Sequence, residues 1–123
     1  MKTYEGTRTT KGCTVTVDGK PLPPRLDLYD HSPTGFSWGY AGSGPAQLAL
    51  AILADFFMVM DFPVKVNGRF TPEAERALRL HQSFKFLMIS PIKMDHWQMT
   101  QNEVAQAVLE LEKEEQSRER SSS

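Results

Sequence analysis

Between Ala46 and Phe57 the chain is apolar around nearly the whole circumference of a helix, and this stretch constrains everything else. A helix with one hydrophobic stripe lies on a surface, whereas one that is hydrophobic all round lies at the centre of a fold. The apolar run continues to Met60, broken only by Gln47 and Asp55. It falls short of the ~20 residues that a membrane span needs. It reads as a buried core helix that other elements must cover.

The elements available to cover it are strands first and helices after. Tyr4–Arg8 reads as a short strand, Cys13–Val17 has β-branched alternation, and Asp18-Gly19 is a tight-hairpin signal. The return strand from Lys20 carries Pro21, Pro23 and Pro24, which confine it to an edge. Leu26 and Leu28 alternate with Asp27 and are expected to rejoin the sheet. Ser32-Pro33-Thr34-Gly35 is a turn, after which Phe36, Trp38 and Tyr40 alternate as three aromatics on one face of a strand. Gly42-Ser43-Gly44-Pro45 opens the core helix, with Ser43 or Gly44 as its cap. Val64-Lys65-Val66 and Asn67-Gly68 suggest a small hairpin. Thr71-Pro72-Glu73 starts a second helix, with Ala74, Ala77, Leu78, His81, Phe84 and Met88 on its apolar face, ending before Pro91. His96–Met99 is a short extended stretch. Thr100…Glu103 is a capping box that opens a third helix.

The resulting expectation is an α+β fold: a small N-terminal antiparallel sheet of three or four strands, followed by three helices packed on one face. The 123 residues suffice for one modest core. Residues 1–111 are expected to form that single domain, and residues 112–123, rich in charge and serine, a disordered tail.

Charge and cysteine content narrow the function. Formal net charge is −1, so there is no global attraction for nucleic acid or an anionic membrane. The charge is uneven, at +3 for residues 1–25, −4 for 26–62, +3 for 63–100 and −3 for 101–123. Cys13 is the single cysteine, which excludes an internal disulfide and suits a reducing, cytoplasmic setting. The first residues carry no secretory apolar region.

The distinctive segment is His31 to Pro45, and no charged side chain appears from Pro33 to Ala54. Its candidate binding residues are His31, Ser32, Trp38, Tyr40, Gly42, Ser43, Gly44 and Gln47. A Gly-rich turn before a helix N-terminus can cradle an anion. However, Gly39, Gly42 and Gly44 do not have dinucleotide-loop spacing, and no P-loop lysine follows. His31, His81 and His96 lack zinc-ligand spacing, so no metal or cofactor is called. Asp27, Asp30 and His31 make only a nominal mixed-ligand group. Ser32 beside His31 has no orienting acid, and Cys13 reads as an inert strand residue, so no catalytic residue is assigned.

The run from His31 to Asp55, beginning His-Ser-Pro-Thr-Gly-Phe-Ser-Trp-Gly-Tyr, resembles a family of small bacterial and phage proteins classed as a domain of unknown function. Val15–Leu22 resembles its N-terminal hairpin. Ala77-Leu78, Phe84-Lys85 and Trp97…Thr100…Glu103 resemble its C-terminal half. The resemblance covers most of residues 4–111, with Met58–Phe70 as an insertion. It implies a bacterial or phage cytoplasmic protein of a mobile element and brings no established activity; small phage proteins without catalytic motifs often act by binding a host protein. The first reading is thus a non-enzymatic protein-interaction module. The alternatives are a nucleic-acid-associated protein using Lys11, Lys20 and Arg25, and a small anion binder or enzyme at the Gly42–Gly44 turn.

Overall fold

The structure is a computed structural model that describes residues 1–33, 35–59 and 64–122. Three strands open it: β1 (Thr3–Thr9), β2 (Gly12–Val17) and β3 (Lys20–Pro21). Asp18 and Gly19 join β2 to β3 with φ of 50° and 81°, the left-handed pair of a type I′ turn. Helix α1 (Ser43–Phe56) follows, then the β4–β5 hairpin (Lys65–Val66, Arg69–Phe70), with the same turn chemistry at Asn67-Gly68. Helix α2 (Pro72–Phe84) runs into one turn of π-helix (Lys85–Ile89). Strand β6 (His96–Thr100) and helix α3 (Gln101–Ser122) complete the chain.

The fold is α+β, as the sequence indicates. The four-stranded sheet has the order β3-β2-β1-β6, antiparallel throughout. Its fourth strand therefore comes from near the C-terminus, at the stretch read only as extended. Pairing sets Tyr4 opposite Val17 and Met99, and Gly6 opposite Val15 and Trp97. These residues form the inward face, while Glu5, Thr7, His96 and Gln98 face outward. Gly6 lacks a side chain because the Trp97 indole lies across it: a Cβ there would sit 2.3 Å from the ring.

Helix α1 is buried from Gly44 to Ala54, as its all-round apolarity requires. It packs with α2 and α3, and the core joins these helices to Tyr4, Val15, Trp97 and Met99 of the sheet. Thr71 caps α2 by accepting from the Ala74 N–H, with Pro72 in the first turn. Thr100 and Glu103 form the reciprocal capping box of α3. No helix among the described residues is long and apolar enough to cross a membrane.

The structure differs from the sequence expectation at four places. Phe36–Tyr40 joins no ladder and bends at Gly39, whose φ is 89°. Its backbone is held by tertiary bonds instead: the Trp38 carbonyl accepts from Arg8 and the Gly39 N–H donates to Ile89. Its aromatics do not share one environment, since Trp38 is buried and Tyr40 exposed. Leu26 and Leu28 lie in turns rather than a strand. Gly42 is the cap of α1, with no side-chain bond from Ser43. Helix α3 continues past Glu112, where a disordered tail was expected, because Glu112 and Glu115 accept hydrogen bonds from Arg76 and Arg79 of α2. Thr34 of the expected turn, and residues 60–63 of the 58–70 segment, lie outside the described residues.

Candidate functional site

Between β3 and α1 the described residues from Leu22 to Gly42 form no helix or strand. Backbone of that kind must find hydrogen-bond partners elsewhere. Gln47, on the first turns of α1, supplies many of them. Its Oε1 accepts from the N–H groups of His31 (2.7 Å) and Ser32 (3.2 Å). Its Nε2 donates to the carbonyls of Pro24 (2.6 Å) and Tyr29 (3.0 Å). A side-chain amide has two donor hydrogens and two acceptor lone pairs, and all four are used. Gln47, fully buried, is thus the clamp that folds the loop onto α1.

The clamp delivers His31 to the C-terminal end of α2. His31 Nε2 lies 2.9 Å from His81 Nε2. His81 Nδ1 lies 2.6 Å from the Leu78 carbonyl, which can only accept. Nδ1 therefore carries the hydrogen, His81 Nε2 accepts, and His31 Nε2–H donates to it. The Tyr29 ring packs against that of His31, with centroids 4.3 Å apart and planes tilted by 30°.

Lys85 completes the group, one helical turn beyond His81. The residue is only 7% exposed. Its ammonium sits 4.2 Å from the Phe86 ring centroid, and no carboxylate pairs with it among the described residues. Burial, then the Lys85 charge, push His31 below the ordinary imidazole range, against Asp30. Burial is also the main cause for His81, where the Leu78 carbonyl opposes it and His31 and Lys85 add to it. The π-helical turn, closed by the Ser90 N–H donating to the Lys85 carbonyl, has an added residue in its ring. It leaves Lys85 inward and Phe86 and Leu87 outward.

That outward pair forms a second feature. Leu87, Met88 and Ala107 floor a shallow hollow of about 360 Å³ edged by Asn102, Glu103, Gln106 and Glu110. Phe86 and Leu87, 59% and 41% exposed, also line an adjoining hollow with Ser83, Leu111 and Glu114. The acids come from one face of α3.

The expected site residues are distributed unevenly over this geometry. His31 and Gln47 come together, with the Ser32 backbone, in the loop clamp. Trp38 is buried; its indole donates to the Met94 carbonyl, stacks edge-on against Trp97 and lies under the Arg8 guanidinium. Tyr40 is exposed, but its ring covers Gly42, where a Cβ would lie 2.4 Å away. A Cβ on Gly44 would meet Ser37 at 2.8 Å. These two glycines admit neighbouring side chains, and Ser43 faces solvent. Arg25 is buried, bound to Asp27 and the Val59 carbonyl, so it does not join Lys11 and Lys20 in an exposed basic group. Sequence reading missed Lys85 and the His31–His81 contact, which spans 50 positions. The signal for Lys85 was its i, i+4 spacing from His81.

The family model described as "Family of unknown function (DUF6166)" matches residues 4–110. The chain belongs to that family. The match contains the loop, the clamp and both histidines, so this site is part of the DUF6166 region and not an appendage to it. No curated protein matches the chain, and no solved structure does.

Proposed function

We propose that this chain is a non-enzymatic protein-interaction module. Its docking surface is the apolar strip Phe86-Leu87 beside the acidic face of α3, and its partner presents a basic amphipathic helix. The observation that carries this reading is the pairing of exposed apolar side chains with a one-signed rim. Folded proteins bury a Phe and a Leu where they can, and contiguous exposure beside a hollow marks recognition. Glu103, Glu110 and Glu114 on the rim select a cationic partner and steer its approach. The partner surface thus lies on the π-turn and α3 rather than on the segment from Trp38 to Gln47. The resemblance to small bacterial and phage proteins supports a cytoplasmic host protein as that partner.

The test is affinity capture from a bacterial lysate at low and high salt, comparing the natural chain with a folded Leu87→Glu/Glu110→Lys variant. The expected result is one stoichiometric protein that needs both residues and is retained less at high salt. A protein captured equally by the variant removes this surface from consideration. Recovery of nucleic acid in place of protein favours the alternative reading.

A further inference from the structure

We propose that the outer edge of β6 is an interaction surface for a second copy of this chain, which adds its own β6 antiparallel across a two-fold axis at Trp97. The order β3-β2-β1-β6 leaves two sheet edges. An open edge is a template for unwanted pairing, and folded proteins blunt it with proline, lysine or a very short strand. Edge β3 has all three: it consists of Lys20 and Pro21, and Pro21 cannot donate to a further strand. Edge β6 has none of them. It is five residues long, carries no lysine or proline, and pairs with β1 without a bulge.

The direction of its backbone groups follows from its bonds to β1. The Gln101 N–H donates to the Lys2 carbonyl, and the Arg8 N–H to the Asp95 carbonyl. Bonded and unbonded pairs alternate along an antiparallel ladder, so Tyr4–Met99 and Gly6–Trp97 are the bonded pairs between those two. The N–H and carbonyl groups of His96, Gln98 and Thr100 therefore point away from β1. Both ends of this outer row are closed within the chain. The Met94 carbonyl accepts from the Trp38 indole, and the Thr100 N–H donates to Glu103 as α3 begins. Between them stand one donor and one acceptor on His96 and the same on Gln98, which meet no backbone or side-chain partner among the described residues. Both residues are exposed.

Two such edges are complementary. With the axis at Trp97, His96 of each copy lies opposite Gln98 of the other, and every open N–H meets an open carbonyl. The outer face then sets an imidazole beside a neutral amide, and the inner face sets Trp97 against Trp97, so no like charges are opposed. Just before β6, the group of Arg8, Lys93 and Asp95 has a net charge of +1 from two cations and one acid. It comes beside the start of the second copy's α3, whose first turn holds Glu103. Met94, 65% exposed, lies in the same seam. Because a two-fold contact uses both open edges and the β3 edges are blocked, association stops at two copies. A strand from a different protein is the competing occupant; the match of each open group to its own copy, and of the flanking charges, favours the second copy. Phe86 and Leu87 take no part, so this surface stands independently of the docking strip, which the dimer carries twice.

The experiment combines sedimentation equilibrium of the full chain over a wide concentration range with amide hydrogen exchange read by NMR. The expected mass rises with concentration from 13.9 kDa toward twice that value and no further. The His96 and Gln98 amides should gain protection only as the dimer forms, whereas those of Trp97 and Met99, bonded to β1, are protected throughout. The variant His96→Lys/Gln98→Lys changes two exposed side chains and sets lysine against lysine twice across the axis. It should keep its fold and associate about tenfold more weakly, as two opposed like-charge pairs predict. Leu87→Glu, which tests the docking strip, should leave the dimer intact. A chain that stays monomeric at every concentration overturns the proposal. So does a dimer whose His96 and Gln98 amides remain unprotected, one that ignores the lysine pair, or one lost in Leu87→Glu. Protection of those two amides only when a different protein is added assigns the edge to that protein's strand and equally overturns it.

Discussion

Gln47 shows how one polar residue inside an apolar helix organises twenty residues of irregular chain. Replacing it with leucine fills similar volume but leaves the N–H groups of His31 and Ser32 and the carbonyls of Pro24 and Tyr29 without their partner. Orphaned buried groups cost about 1–3 kcal/mol each, partly recovered where water reaches them. Gln47→Leu should therefore lose roughly 2–4 kcal/mol in urea unfolding, despite being more hydrophobic. A neutral or stabilising change would show that the loop is held by other contacts. At the same scale, both His31 and His81 have folded pKa values below their unfolded ones. The unfolded chain then binds more protons, so the two rings contribute stability that is fully present above about pH 6.5 and is lost as pH falls below it. The depressed carboxylates Glu5, Asp27 and Glu112 act at lower pH. Urea midpoints should thus fall between about pH 7.5 and pH 5.5, a window that isolates imidazole. His81→Gln should reduce that slope and leave the share of His31, and an unchanged slope would place its origin elsewhere.

At the scale of elements, what was legible in the sequence was local. Asp18-Gly19 and Asn67-Gly68 need left-handed backbone wherever they occur, and Thr71-Pro72 and Thr100…Glu103 close their own helix ends. Phe36–Tyr40 alternates like a strand, but alternation states only which side chains can share a face; the partners that hold this segment, Arg8 and Ile89, are distant in sequence. The π-helical turn had no local signature, and without it Lys85 is simply a residue near the end of an amphipathic helix. The reach of α3 was hidden for the same reason. Glu75–Arg79 is readable at i, i+4, whereas Arg76–Glu112 and Arg79–Glu115 each span 36 positions. Arg76 also lies 4.5 Å above the Phe57 ring. These pairs are partly solvated, so Arg76→Ala and Glu112→Ala should each cost about 1 kcal/mol, with a double-mutant coupling of a few tenths. Hydrogen exchange should show α3 amides protected through Glu115 and less so beyond it. Uniformly fast exchange from Glu112 onward would return that segment to the disordered tail its composition suggests.

At the scale of the molecule, the two ends of the chain complete one sheet. Strand β1 lies between β2 and β6, and the Lys2 and Gln101 backbones are tied by reciprocal bonds, one through the Gln101 side chain. The helical layer cannot therefore be finished before the C-terminal quarter arrives. Ending the chain at Asp95 removes Trp97, Met99, Val104, Ala107, Val108 and Leu111 from the core. At about 1.5–3 kcal/mol for each buried side chain, that loss matches or exceeds the 5–15 kcal/mol by which a domain is usually stable. It also bares the edge of β1, a template for pairing with other chains. The fragment 1–95 should consequently lack a cooperative thermal transition and sediment as aggregate. A chain ending after Glu115 keeps β6, the core face of α3 and both interhelical ion pairs, and should melt cooperatively within a few degrees of the full chain, as expected when ΔΔG stays below about 1 kcal/mol. A soluble, cooperatively melting 1–95 fragment would instead make the first three strands and first two helices the folding unit, with β6 and α3 docked upon it. The acidic face of α3 would then belong to a detachable element rather than to the rigid body that presents Phe86 and Leu87.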